Sequence, residues 1–129
     1  METVESLNWL RSNNLYELTS KVGTSLKKVF TPCLGVKSEK ILIIGDIGYQ
    51  NRNVAAVLSG AYYLAAEQLN LDAKFILQSP KSRGDVSDGD VVQSLSDLRP
   101  GNIVILNMSD KLGNIQQLGK SFRRWIAKK

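Results

Sequence analysis

Apolar residues recur at three- and four-residue spacing through the first 36 residues: Val4, Leu7, Leu10, then Leu15, Leu18, Val22, Leu26, Val29 and Phe30. That is the rhythm of a helix with one buried face. Asn13-Asn14 predicts a break between two helices, because Asn favours turns and caps over helix interiors. Thr31-Pro32 predicts the end of the second helix, since the residue before a proline avoids the helical region. The pattern then changes. Lys40-Ile41-Leu42-Ile43-Ile44 is a continuous apolar run closed by Gly45-Asp46, which reads as a strand covered on both faces.

Residues 51–69 return to helical spacing, with Val54, Val57, Leu58, Ala61, Leu64, Ala65 and Leu69 on one side. Most remaining positions are Ala or Tyr, so this helix is expected to be buried over most of its girth, with Gly60 allowing a close approach to a neighbour. Ala73 to Leu77 predicts a second strand and Gln78 to Ser87 a polar loop. A short helix follows over 88–98, with Val91, Val92, Leu95 and Leu98 inward and Ser87 or Asp88 placed to cap it. Arg99-Pro100-Gly101-Asn102 turns the chain into a third strand, Ile103 to Leu106. From about Ser109 to the end, Leu112, Ile115, Leu118, Phe122, Trp125 and Ile126 fall on one side of a last helix.

Strand, helix, strand, helix, strand, helix is the order of an open parallel α/β sheet with helices on both faces. The expected architecture is a small three-layer, Rossmann-like βαβαβα core over 40–129, preceded by one or two helices within 1–36, as a single domain. Three strands leave sheet edges bare, so pairing with another chain is expected unless the amino-terminal helices cover them.

Composition narrows the chemistry. The 129 residues are 43% hydrophobic and 22% charged, ordinary for a globular chain. One cysteine, Cys33, and no histidine remove disulfide scaffolds, zinc fingers, histidine metal sites and Ser/His/Asp or Cys/His nucleophile systems. No catalytic residue, metal ligand or cofactor is read from the chain. No apolar run approaches the ~20 residues of a membrane span, and the acidic start Met1-Glu2-Thr3-Val4-Glu5 is unlike a basic signal or transit peptide, so a cytoplasmic protein is expected.

In a parallel sheet, ligands bind outside the carboxyl ends of the strands. The segment after the first strand carries Gly45, Asp46, Gly48, Asn51 and Arg52, and that after the third carries Ser109 and Asp110. Two glycines before a helix suit a backbone cradle for an anion, with Arg52 to balance Asp46. There is no third glycine of a Gly-x-Gly-x-x-Gly pattern and no Gly-Lys-Ser/Thr, so glycines that simply allow a tight turn, with an Asn as helix cap, stand beside a small-molecule or nucleotide site. Asp46, Asp85, Asp88, Asp90 and Asp110 are expected at the same end, where such carboxylates would invite a magnesium or calcium ion. Asp85 to Asp90 lacks the spacing of an EF-hand loop, and capping with dipole complementarity accounts for Asp88 and Asp90.

The formal charge is +5 with a pI near 9.4, and it is unevenly spread. Residues 1–40 hold six basic against four acidic side chains, 41–100 five against seven, and 101–129 six against one. Lys120, Arg123, Arg124 and Lys128 form a basic stripe opposite the apolar side of the last helix. It reads either as cations complementing a helix carboxyl end or as a nucleic-acid contact.

From Leu26 the order of residues resembles the start of the aminopeptidase T-like metallopeptidases. The resemblance runs through Leu26-Lys27-Lys28-Val29-Phe30, Cys33-Leu34-Gly35-Val36-Lys37 and Lys40 to Asp46. It continues in the alanine-rich helix at 54–69, Phe75-Ile76-Leu77, Gln78-Ser79-Pro80 and Ile103 to Leu106. It implies an amino-terminal α/β domain. The family's paired metal ions, held elsewhere on Glu, His and Asp ligands, find no matching residue in this histidine-free chain. The implied role is non-catalytic: oligomerisation or docking to another protein domain. A small-molecule module and a nucleic-acid-binding helix are the alternatives.

Overall fold

The computed structural model describes residues 1–119 and 122–127, and of Arg123 the backbone alone. Its elements run α1 (Thr3–Ser12), α2 (Tyr16–Lys28), a π turn (Val29–Cys33), β1 (Ile41–Asp46), α3 (Val54–Gln68), β2 (Ala73–Gln78), α4 (Gly89–Ser96), β3 (Ile103–Asn107), a 3-10 turn (Gln116–Leu118) and α5 (Phe122–Ile126). The fold is the expected small α/β structure: a three-stranded, wholly parallel sheet in the order β2-β1-β3, preceded by two helices. No helix among the described residues is long and apolar enough to cross a membrane.

Period-2 alternation divides the core in two. Ile41, Ile43, Phe75 and Leu77 meet Leu10, Phe30, Ala56, Ala65 and Ala66 on the face covered by α1, α2 and α3. Leu42, Ile44 and Ile76 meet Val91, Leu95, Leu98, Leu112 and Ile115 on the other. β1 is buried along its whole length because helices lie on both sides of it.

The break between α1 and α2 falls at the two asparagines, with Asn14 in the left-handed region at φ 58°. Glycines set how closely α3 approaches its neighbours. A Cβ on Gly60 would lie 2.6 Å from Leu10 Cδ1 and 2.9 Å from Thr19 Cγ2, and one on Gly23 would lie 3.0 Å from the Ala61 carbonyl.

Four local expectations need correction. The chain does not leave helical geometry at Thr31: it widens into the π turn that contains Pro32, and the Leu34 N–H reaches back to the Val29 carbonyl at 2.9 Å. Proline has no N–H to place in the narrower ladder, so a wider turn accommodates it. The buried side of α3 is its small residues, Ala55, Ala56, Ser59, Gly60, Ala61, Ala65 and Ala66 with Leu64, whereas Val54 is 76% exposed. Close packing against the sheet and α2 selects small side chains over large ones.

Asp88 occupies the N-cap position of α4 but makes no side-chain cap; its carboxylate is taken by Lys81 Nζ at 2.7 Å. Finally, the apolar positions expected on one long last helix do face the core, but not as a helix. Gly113 has φ 101° and a Cβ there would lie 2.8 Å from the Ser87 nitrogen, while the Leu112 carbonyl accepts from both Gln78 Nε2 and Ser87 Oγ at 2.8 Å. A carbonyl held by two side chains from other segments is not available to a helix ladder.

Candidate functional site

The carboxyl ends of β1 and β3 form the crevice where the strand order reverses, the position at which parallel sheets bind ligands. Asp46, the last residue of β1, is fully buried. Its Oδ1 accepts from the Gly48 N–H at 2.9 Å and the Ser109 hydroxyl at 2.5 Å, and its Oδ2 accepts from the Ser109 N–H at 2.7 Å. A buried carboxylate that accepts three bonds, one from the first loop and two from the second, is a latch between the two loops. It is not presented to a ligand. Gly48 is positioned by φ 74°, and any Cβ there would overlap the Arg52 carbonyl. Tyr49 and Arg52 exchange backbone bonds of 3.2 and 2.9 Å around Asn51, itself at φ 61°.

Outside this latch lies a crevice of about 490 Å³, with Asn51, Arg52 and Ser109 at its polar side and Val54, Leu58 and Met108 among its apolar wall. Of the residues expected to share a site, then, the structure brings together Asn51, Arg52 and Ser109. Gly45, Asp46 and Gly48 stand behind them: Gly45 is needed because a Cβ would lie 2.2 Å from Ser59 Oγ. Asp110 is elsewhere, in a separate depression with Arg83, Asp85 and Asn114, and pairs loosely with Lys111 at 3.9 Å. The Asn expected to cap α3 does not cap it: Asn53 Nδ2 donates instead to the Ile47 carbonyl at 2.9 Å. The amide nitrogen of Asn107, at the end of β3, is buried without a partner among the described residues.

The other carboxylates expected at this end also have partners. Asp85 accepts from the Ser82 N–H at 2.7 Å, and Asp90 binds the amino-terminal ammonium at 2.6 Å. No group of three or more Cys, Asp or Glu gathers at metal-binding distance among the described residues. Lys120 and Lys128 of the basic stripe lie outside the described residues, as does the side chain of Arg123. Arg124 is exposed on α5, whose described length is five residues.

The two edges of the sheet differ. In β2 the odd-numbered residues direct their backbone groups away from β1, and α1 meets them. The Phe75 N–H donates to Thr3 Oγ1 at 3.1 Å and the Leu77 N–H to Ser6 Oγ at 3.0 Å, while the Leu77 carbonyl accepts from the Met1 ammonium at 2.7 Å. Ser6 is fully buried and donates in turn to the Met1 carbonyl at 2.8 Å. Sequence reasoning missed Thr3 and Ser6; the signal was a hydroxyl on the same helix face as the apolar residues. Among the described residues β3 has no such cover. Its Ile103 N–H points inward to the Lys40 carbonyl at 2.9 Å, so Val104 and Leu106 direct theirs outward, and no described residue bonds them.

In comparisons with known proteins, no family model, no curated protein and no solved structure matches the chain.

Proposed function

We propose that this chain is a non-catalytic α/β domain of the kind that opens the aminopeptidase T-like metallopeptidases, acting by protein contact through the outer edge of β3. The observation that carries the reading is the contrast between the edges. One is closed by α1, and the other offers the outward N–H and C=O groups of Val104 and Leu106, unbonded among the described residues. Strand edges are normally blunted by charge, proline, a bulge or a covering element. β2 has both a covering helix and Lys74, whereas β3 reads Ile-Val-Ile-Leu-Asn with none of these devices among the described residues. An open edge of that composition accepts an added strand, its main-chain bonds giving affinity and its apolar side chains selectivity.

Amide hydrogen exchange tests this. In dilute protein Val104 and Leu106 should exchange freely while Ile103 and Ile105 are protected, and a synthetic apolar strand peptide at millimolar concentration should slow the first two. Protection of both outward amides in dilute protein would overturn the reading.

A second reading has its own observation. The first-turn N–H groups of α3 lack a side-chain cap beside Arg52, at a crevice of about 490 Å³, a setting that favours a small anionic molecule. Thermal-shift measurements across nucleotides and carboxylates test it, and a flat response across that panel removes it.

A further inference from the structure

Resting on the protein-contact reading, we infer that the strand taken up by β3 is the β3 of a second copy of this chain, paired antiparallel about a two-fold axis at Ile105. The argument is one of register. Val104 and Leu106 are the residues of β3 that direct both backbone groups outward. In antiparallel pairing, residues exchange two bonds when both face the partner. With the axis at Ile105, Val104 of each copy lies opposite Leu106 of the other. Every outward group of both residues is then bonded. Placing the axis at Val104 or at Leu106 would leave the other residue opposite the chain beyond the strand.

The same arrangement joins two 3-stranded sheets into one of six strands and needs only this one patch, as an isologous contact does. Antiparallel partners direct opposing side chains to the same side of the sheet, so Ile103 and Ile105 of the two copies extend the α3 face together. Val104 and Leu106 extend the α4 face in the same way. Both layers continue across the axis without a charged residue of β3 being buried, because β3 contains none. The axis also sets what lies beside the crevice: the partner's Asn102 falls opposite Met108, which lines it.

Ile105 on the axis is a pair of the non-hydrogen-bonded type, with Cα atoms about 4.5 Å apart, within the range a disulfide spans. In a background of Cys33→Ser, which removes the free exposed thiol, Ile105→Cys should cross-link to itself with oxidised glutathione accepting the two electrons. It should do so at least tenfold faster than Val104→Cys, whose copies are offset along the strands. Because Ile105→Cys removes apolar contacts, the unsubstituted chain is followed in parallel by sedimentation equilibrium and amide exchange. A concentration-dependent dimer in which Val104 and Leu106 gain protection together supports the inference.

A monomer at millimolar concentration with both amides exchanging freely overturns the second-copy assignment and leaves the open edge, and so the proposed function, intact. A monomer with both amides protected overturns both. A dimer that cross-links through Val104→Cys and not Ile105→Cys overturns the register.

Discussion

Gly60→Ala separates helix propensity from packing within a single substitution. Replacing a mid-helix glycine by alanine should stabilise α3 by about 1 kcal/mol. At this position the new methyl would lie 2.6 Å from Leu10 Cδ1 and 2.9 Å from Thr19 Cγ2, and both residues are fully buried. Overpacking of a closed core costs about 1–3 kcal/mol. The high part of that range applies, because Thr19 is β-branched and its hydroxyl is fixed to the Leu15 carbonyl at 2.8 Å. Packing should therefore win by about 1–2 kcal/mol, a fall in Tm of about 4–8 °C for a chain of this size. Gly89→Ala is the matched control. Its Cβ would meet nothing within 4 Å, so it should be neutral or stabilising by about 0.5 kcal/mol. Thr19→Ser deletes the obstructing methyl and keeps the hydroxyl, so the double variant should be less destabilised than the single effects added together. Urea melts of the four proteins supply the cycle. A Gly60→Ala variant as stable as the parent, or additivity with Thr19→Ser, refutes close helix approach as the reason for this glycine.

Asp46→Asn replaces one accepting oxygen by an amide facing an N–H or O–H donor; a loss of about 2–3 kcal/mol in urea melts is expected, and Ser109→Ala should cost less. Ser6→Ala leaves the Leu77 N–H without an acceptor in a buried site, with an expected loss of about 1–3 kcal/mol and faster exchange at that amide. Tyr63 has its pKa raised above 10.0, first by burial and then by its hydrogen bond to Glu67. The folded state therefore holds this proton more tightly than the unfolded one. Its contribution is fully present below pH 10 and is lost as pH rises through the folded value, so Tyr63→Phe should flatten the alkaline limb of the stability–pH curve.

The sheet was legible because its evidence is local. Apolar runs of strand length at Ile41 to Ile44 and Ile103 to Leu106, separated by helical spacing, admit few alternatives to a parallel α/β order. Periodicity failed where backbone groups are held by distant side chains. From Leu112 to Ile126 the spacing finds the core-facing positions, yet Gly113 and Gly119, both at positive φ, interrupt the helix that it predicts. The bonds from Gln78 and Ser87 to the Leu112 carbonyl join residues 34 and 25 positions apart, and no window of sequence contains them. Asp46 shows the same limit at the site. Its place at the end of β1 was visible, but its conversion from a candidate ligand group into a buried latch depends on Ser109, 63 positions away.

That latch bears on how the two ends of the molecule work. Asp46 makes the β1–α3 turn and the segment after β3 one unit, and Gln78 fastens the far side of that segment to the end of β2. Both strands beside β1 are therefore held at their carboxyl ends by buried polar groups, which in a low-dielectric setting carry a high cost if broken. Such bonds also fix direction. With Ser109 pinned to Asp46, β3 cannot slide relative to β1 without removing two bonds from a buried carboxylate. A slip of one residue would also turn Ile103 and Ile105 from the α3 face to the α4 face. An edge that offers its hydrogen-bonding groups at a fixed register selects a partner strand by position as well as by composition. Loosening the latch with Asp46→Asn should therefore weaken strand addition at β3 even though Asp46 lies outside that edge. Peptide-induced protection of the Val104 and Leu106 amides, compared in the parent and in Asp46→Asn at temperatures equally far below their Tm values, measures this. Equal protection in the two proteins would show that the latch stabilises the fold without setting the edge.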